Sequence, residues 1–122
     1  MDVSYRCPMC ERNLSVCQGV ILVGQCGDRR TLLVLNPEPG NYNLETSDGQ
    51  PLAPSTRWEL SCPLCSEDLS VPLKRRLARL EQVDADGAVK IIMFSKIADE
   101  QATFVMGEGI IERHGKDSTT YL

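Results

Sequence analysis

Residues 7–16 read Cys7-Pro8-Met9-Cys10-Glu11-Arg12-Asn13-Leu14-Ser15-Val16, and residues 62–71 read Cys62-Pro63-Leu64-Cys65-Ser66-Glu67-Asp68-Leu69-Ser70-Val71. Both follow one pattern, C-P-x-C-x-x-x-L-S-V. A single C-x-x-C is a weak signal; two in the same frame with the same L-S-V tail are a strong one. They predict two half-sites that close one tetrahedral metal site. The expected ligands are Cys7, Cys10, Cys62 and Cys65, with Zn²⁺ as the expected ion and iron as its competitor.

Two assemblies are open: one ion shared by both knuckles, or a private site for each. The second half has no cysteine besides Cys62 and Cys65, and only His114 as a further nitrogen ligand. A private site there lacks donors, so the shared ion is favoured. Cys17 and Cys26 are candidate extra ligands of the first half. Their counterparts in the repeat read as Pro72 and Val83, which suggests small buried hydrophobes instead. A cluster of free buried thiols explains neither the spacing nor the repeated proline.

The chain has 122 residues, 42% of them hydrophobic and only 5% aromatic, so its core is thin. Chains of this size commonly add a metal or disulfides to the core. Formal net charge is −4, which disfavours nucleic acid and anionic lipid as partners. Apolar runs such as residues 20–23 and 32–35 are four residues long, too short to span a bilayer or to resemble a signal peptide. The expected compartment is therefore the cytoplasm, where thiols stay reduced and serve as metal ligands or core fillers.

In chain order, Val3, Tyr5 and Cys7 alternate with Asp2, Ser4 and Arg6, the period of a half-buried strand. Leu14 and Val16 are expected on one face of the return strand. Residues 18–36 read as a hairpin turning at Cys26-Gly27-Asp28-Arg29-Arg30, with strands apolar enough for burial on both faces. A short strand is expected around residues 42–46, and residues 50–56 read as the linker. Trp58, Leu60 and Cys62 then repeat the parity of Val3, Tyr5 and Cys7.

Beyond the second knuckle the local signal is mixed. Leu73, Leu77, Leu80 and Val83 have helical spacing, with Lys74, Arg75, Arg76 and Arg79 on a polar face. The repeat argues for strands, because residues 31–36 match residues 90–95, and Gly24-Gln25-Cys26 match Glu81-Gln82-Val83. We expect a hairpin of residues 78–83 with 88–95, turning at Asp84-Ala85-Asp86-Gly87, and allow a helical turn at residues 73–77. A last hairpin pairs residues 102–106 with 109–113, and the polar tail from Gly115 is expected to fray. The fold class that follows is all-β, a tandem duplication of zinc-knuckle hairpin units at residues 1–52 and 56–122 around a shared metal.

The paired C-P-x-C stretches resemble zinc-ribbon and rubredoxin-like knuckles over about ten residues per copy. By that resemblance the ligands are the same four cysteines. Rubredoxin knuckles place Gly directly after the second Cys, where this chain has Glu11 and Ser66. That difference and the low aromatic content set structural zinc ahead of iron-based electron transfer. In size and paired cysteines the chain also resembles the small zinc-binding subunits of acetone- and acetophenone-type ATP-dependent carboxylases. This resemblance implies structural support for chemistry carried by larger subunits.

Catalytic signals are sparse. With one histidine, His114, neither a hydrolytic triad nor a His-rich metal site is supported. Asp84-x-Asp86-Gly87 opens like a calcium loop, but Val89 and Ser95 stand where the loop needs Gly and Glu. Gly107-Glu108-Gly109 lacks the setting of a phosphate loop. Lys74-Arg75-Arg76 with Arg79 reads as a solvated face, or as a phosphate contact if the chain were a nucleic-acid-binding ribbon. The expected function is a non-catalytic zinc-binding subunit or interaction module of a larger cytoplasmic enzyme complex. The alternatives are a rubredoxin-like electron carrier and a nucleic-acid-binding zinc ribbon.

Overall fold

The structure, a computed structural model, describes residues 3–16 and 19–121. The first half holds β1 (Ser4–Arg6), β2 (Ser15–Val16), β3 (Gly19–Cys26), β4 (Arg29–Leu35) and β5 (Leu44–Thr46). The second holds β6 (Glu59–Ser61), β7 (Ser70–Val71), β8 (Lys74–Val83), β9 (Val89–Ser95), β10 (Thr103–Gly107) and β11 (Ile110–His114). A 3-10 turn, Ser118–Tyr121, closes the chain, and no α-helix occurs among the described residues.

The strands form two antiparallel sheets. One runs β2-β3-β4-β5, and the other runs β1-β8-β9-β10-β11. The two halves exchange their first strands: β6 pairs with β3 of the first half, and β1 pairs with β8 of the second. Since β4 occupies one edge of β3, β2 and β6 must share the other, at Gly19 and Val20 and at residues 23–25 respectively. The bridges Arg6↔Asn13 and Ser61↔Asp68 join each exchanged strand to the return strand of its own knuckle. The pairings therefore close a circuit, β8-β1-β2-β3-β6-β7, which covers edges that would otherwise offer unpaired backbone groups.

The duplication is written in the hydrogen bonds. Leu14 N–H donates to the Tyr5 carbonyl at 2.7 Å, and Leu69 N–H donates to the Leu60 carbonyl at 2.9 Å. Ile21 N–H donates to the Leu14 carbonyl, as Arg79 N–H does to that of Leu69. The asparagine and aspartate at matching places, Asn13 and Asp68, each accept from the serine amide that follows two residues on. Corresponding leucines lie in one core: Leu14 and Leu69, Leu22 and Leu80, with Leu33 matched by Ile92. Full burial of such a side chain contributes roughly 1.5–3 kcal/mol.

Several expectations are corrected. Lys74–Val83 is strand throughout, with no helical turn at residues 73–77. The helical spacing arose because Leu80 faces the main core while Leu77, on the opposite face of the sheet, joins a second small cluster with Ala102 and Phe104. A strand covered on both faces loses its period of two. The match of Gly24-Gln25-Cys26 to residues 81–83 is out by one position. Tyr5 pairs with Gln82 as Leu60 pairs with Gly24, so Cys26 corresponds to the residue after Val83. The register is set by ladder bonds, and the β7–β8 hairpin is the longer one, with a bulge between Ser70 and Val71.

Burial on both faces does not extend to β4: Leu33 is buried but Leu32, on the outer face, is 40% exposed among the described residues. Val16 is likewise exposed while Leu14 is buried. The tail does not fray over its described residues. Asp117 N–H donates to the Gln101 carbonyl, and the Asp117 carboxylate accepts from the Gln101 N–H.

Candidate metal centre

Each knuckle is a tight turn held by the same pair of backbone bonds. Cys7 N–H donates to the Arg12 carbonyl at 3.1 Å, and Glu11 N–H donates to the Cys7 carbonyl at 2.9 Å. Cys62 with Glu67, and Ser66 with Cys62, repeat these bonds at 3.1 and 2.9 Å. Glu11 and Ser66 carry the left-handed backbone the turn requires, with φ of 60° and 65°. They adopt the conformation for which glycine is otherwise preferred. The missing glycines therefore do not separate this site from an iron-type knuckle, and that part of the sequence argument for zinc falls away.

The turns aim amides at sulfur. Met9 and Cys10 N–H approach Cys7 Sγ at 3.3 and 3.5 Å, and Leu64 and Cys65 N–H approach Cys62 Sγ at 3.3 and 3.4 Å. The Arg12 amide, donating to Cys10, holds that thiol below its ordinary value. Burial pushes the Cys7 thiol up to about 12 against the pull of the Cys10 and Met9 amides. A buried thiolate here thus needs a compensating positive charge, which a metal ion supplies.

The knuckles stand face to face. Cys7 Sγ lies 3.7 Å from Cys65 Sγ, and Cys10 Sγ lies 3.8 Å from Cys62 Sγ. All four sulfurs fall within 4.8 Å of one another. A tetrahedron with metal–sulfur bonds of about 2.3 Å has edges of about 3.8 Å. The four cysteines thus form one site from two C-x-x-C segments, and the residues fit a tetrahedral ion. Cys7 and Cys62 are buried within the core, while Cys10 and Cys65 are half-buried. The first cysteine of each knuckle follows directly on an exchanged strand, so each half places a ligand beside the other half's sheet.

The remaining candidates lie elsewhere. Cys26 packs half-buried against the core and is outside the four-sulfur group. Cys17 lies outside the described residues. His114 ends β11 half-buried, its Nε2 3.6 Å from a Glu112 carboxylate oxygen. In the basic segment, Arg75 meets Asp68 at 2.9 Å and Arg76 meets Glu100 at 3.2 Å. The Asp84 carboxylate accepts from the amides of Asp86 and Ala88, as a hairpin turn requires.

One residue near the second knuckle has no sequence signal. The Lys96 side chain is fully buried, and its Nζ donates to both Glu59 oxygens at 3.1 and 3.0 Å and to Ser70 Oγ at 2.6 Å. It ties β6 and β7, the two strands of the second knuckle, to the end of β9. Its partners are distant in the chain, so no local pattern could have revealed it. Compared with known proteins, the chain matches no family model, no curated protein and no solved structure.

Proposed function

We propose that the four cysteines hold a structural Zn²⁺ and that the protein is a non-catalytic interaction module, a small subunit of a larger cytoplasmic enzyme assembly. The observation that carries this reading is the four-sulfur cage, whose edges suit a tetrahedral zinc–thiolate site. With protein sulfur at all four vertices, such an ion has no open position for water or substrate. No helix of the described residues is long and apolar enough to cross a membrane. The pairing of Arg75 and Arg76 with carboxylates speaks against a phosphate-binding face. Apolar side chains stand exposed at both knuckle tips, Met9 and Leu64, and on the edge strand β11, Ile110 and Ile111. Surface of that kind suits a protein partner. The small subunits of acetone- and acetophenone-type carboxylases, resembled at the knuckles, give the first class of assembly to look for.

The amides directed at sulfur also favour a second reading, an iron-bound electron carrier, because such donors stabilise a four-thiolate iron site. Metal analysis of the purified protein, with its absorption spectrum, decides between the two. Colourless protein with one zinc per chain supports the structural reading. Coloured protein with iron and a reversible redox change overturns it. Native mass in an extract of the source organism, with mass spectrometry of co-eluting chains, then tests the subunit assignment. Elution as a free monomer or dimer would sink it.

A further inference from the structure

We propose that the cleft between the two sheets, beside Trp58, is a binding site for a small molecule that carries an apolar ring and no negative charge. The cleft has a volume of about 270 Å³. An apolar cavity of about 150 Å³ takes up benzene, so this one has room for a larger ring system. Its lining includes two corresponding connections, from β4 to β5 and from β9 to β10. Its walls come from corresponding positions of both halves, Leu33 with Ile92 and Leu35 with Phe94. None of the four knuckle cysteines lines it.

Aromatic placement is a second, independent observation. Only six aromatic residues occur in the chain, and four of them, Tyr5, Tyr42, Trp58 and Phe94, line this cleft. Aromatic faces and edges favour offset or edge-on contact with a further ring.

The polar groups around the cleft explain why the ligand carries no negative charge. The Tyr5 hydroxyl donates to the Pro37 carbonyl and accepts from Gln82 Nε2. The Tyr42 hydroxyl meets Thr103 Oγ1 at 2.9 Å and the His114 carbonyl at 3.1 Å. Trp58 Nε1 donates to Thr56 Oγ1 at 3.0 Å, and Lys96 Nζ is occupied by Glu59 and Ser70. An anionic ligand would lose water here and meet the carboxylates of Glu38, Asp99 and Glu100, while the lining Lys96 is already held by Glu59 and Ser70. An uncharged ring displaces water from apolar walls at no such cost.

The test uses the metal-loaded full chain, labelled with ¹⁵N and titrated with naphthalene. Trp58 is the chain's only tryptophan, so its indole N–H gives one unambiguous NMR signal. A saturable shift of that signal and of the Ala98 amide is expected. Ala98→Phe and, separately, Leu52→Phe put a ring into the cleft, and each is expected to weaken binding at least about tenfold with metal content unchanged. Ile110→Ser, on exposed β11, is expected to bind as the parent does. If Ala98→Phe does not fold, Leu52→Phe decides. The proposal is overturned by no saturable Trp58 shift up to the solubility limit, by unchanged affinity in a folded cleft-filled variant, or by shifts centred on Ile110 and Ile111.

Discussion

Cys7 Sγ and Cys65 Sγ lie 3.7 Å apart although 58 residues separate them in the chain. Each belongs to a knuckle whose leading strand is lodged in the sheet of the opposite half. An ion at the four sulfurs would therefore join the same two bodies that the strand exchange joins, so that the loss of one should weaken the other.

Removing one ligand tests this coupling. Cys62→Ser is expected to abolish stoichiometric metal binding and to loosen both halves. Structural zinc contributes about 10–16 kcal/mol in zinc-finger peptides, comparable to the whole net stability of a small domain. Amide hydrogen exchange reads the result: protection should fall in β3 and β4 as well as in β8 and β9. Loss confined to the second sheet would show that the ion is not shared.

The duplicated core gives a paired prediction. Leu14 and Leu69 correspond and are 2% and 0% exposed. Leu14→Ala and Leu69→Ala should each cost about 2–5 kcal/mol in urea unfolding of the metal-loaded protein. Val16→Ala, at an exposed position in β2 two residues after Leu14, should stay within about 0.5 kcal/mol. A large cost at Val16, or none at either leucine, would contradict the packing described.

Asp48 supplies a pH dependence. Arg29 grips its carboxylate through two bonds of 3.0 Å, also donates to the carbonyls of Gln50 and Pro51, and lies over the Trp58 ring. The Arg29 guanidinium, with the Gln50 amide, holds the Asp48 carboxyl well below the usual carboxylate range. A depressed carboxylate stabilises the fold above its unfolded value, and that contribution is lost as pH falls toward the folded value. Asp48→Asn should therefore lower the melting temperature at neutral pH and lose its effect in strong acid. An equal effect at both extremes would place the role of Asp48 in packing rather than charge.

Gly115 fixes the tail. Its φ is +98°, and an added Cβ would collide with the Gln101 carbonyl. Gly115→Ala should cost more than about 1 kcal/mol and free the tail from residue 101. Faster hydrogen exchange at the Gln101 and Asp117 amides, with the knuckles unaffected, is the expected signature. Unchanged exchange would show that the tail tolerates another path.

The duplication and the four cysteines were legible in the sequence because both are local. A knuckle is written in ten consecutive residues, and alternation such as Val3, Tyr5 and Cys7 marks a half-buried strand wherever it occurs. The hairpins at residues 18–36 and 78–95 were legible for the same reason, since turn and strands are contiguous. Leu77 misled because its partners, Ala102 and Phe104, come from the next hairpin and bury the face that an isolated strand would leave to water.

Only the tertiary structure decided the rest. That β1 joins β8 and β6 joins β3 depends on ladder bonds between segments far apart in the chain, and the composition of a three-residue strand does not encode its partner. The aromatic cleft and the buried Lys96 likewise gather residues that are scattered in sequence and meet only when the two sheets close. Local patterning marked inward residues such as Tyr5, Leu14 and Leu60, but not the exposure of Val16 and Leu32. The meeting of the two inward faces determined what they enclose, because burial and hydrogen-bond satisfaction are settled by the whole packed assembly rather than by any one stretch.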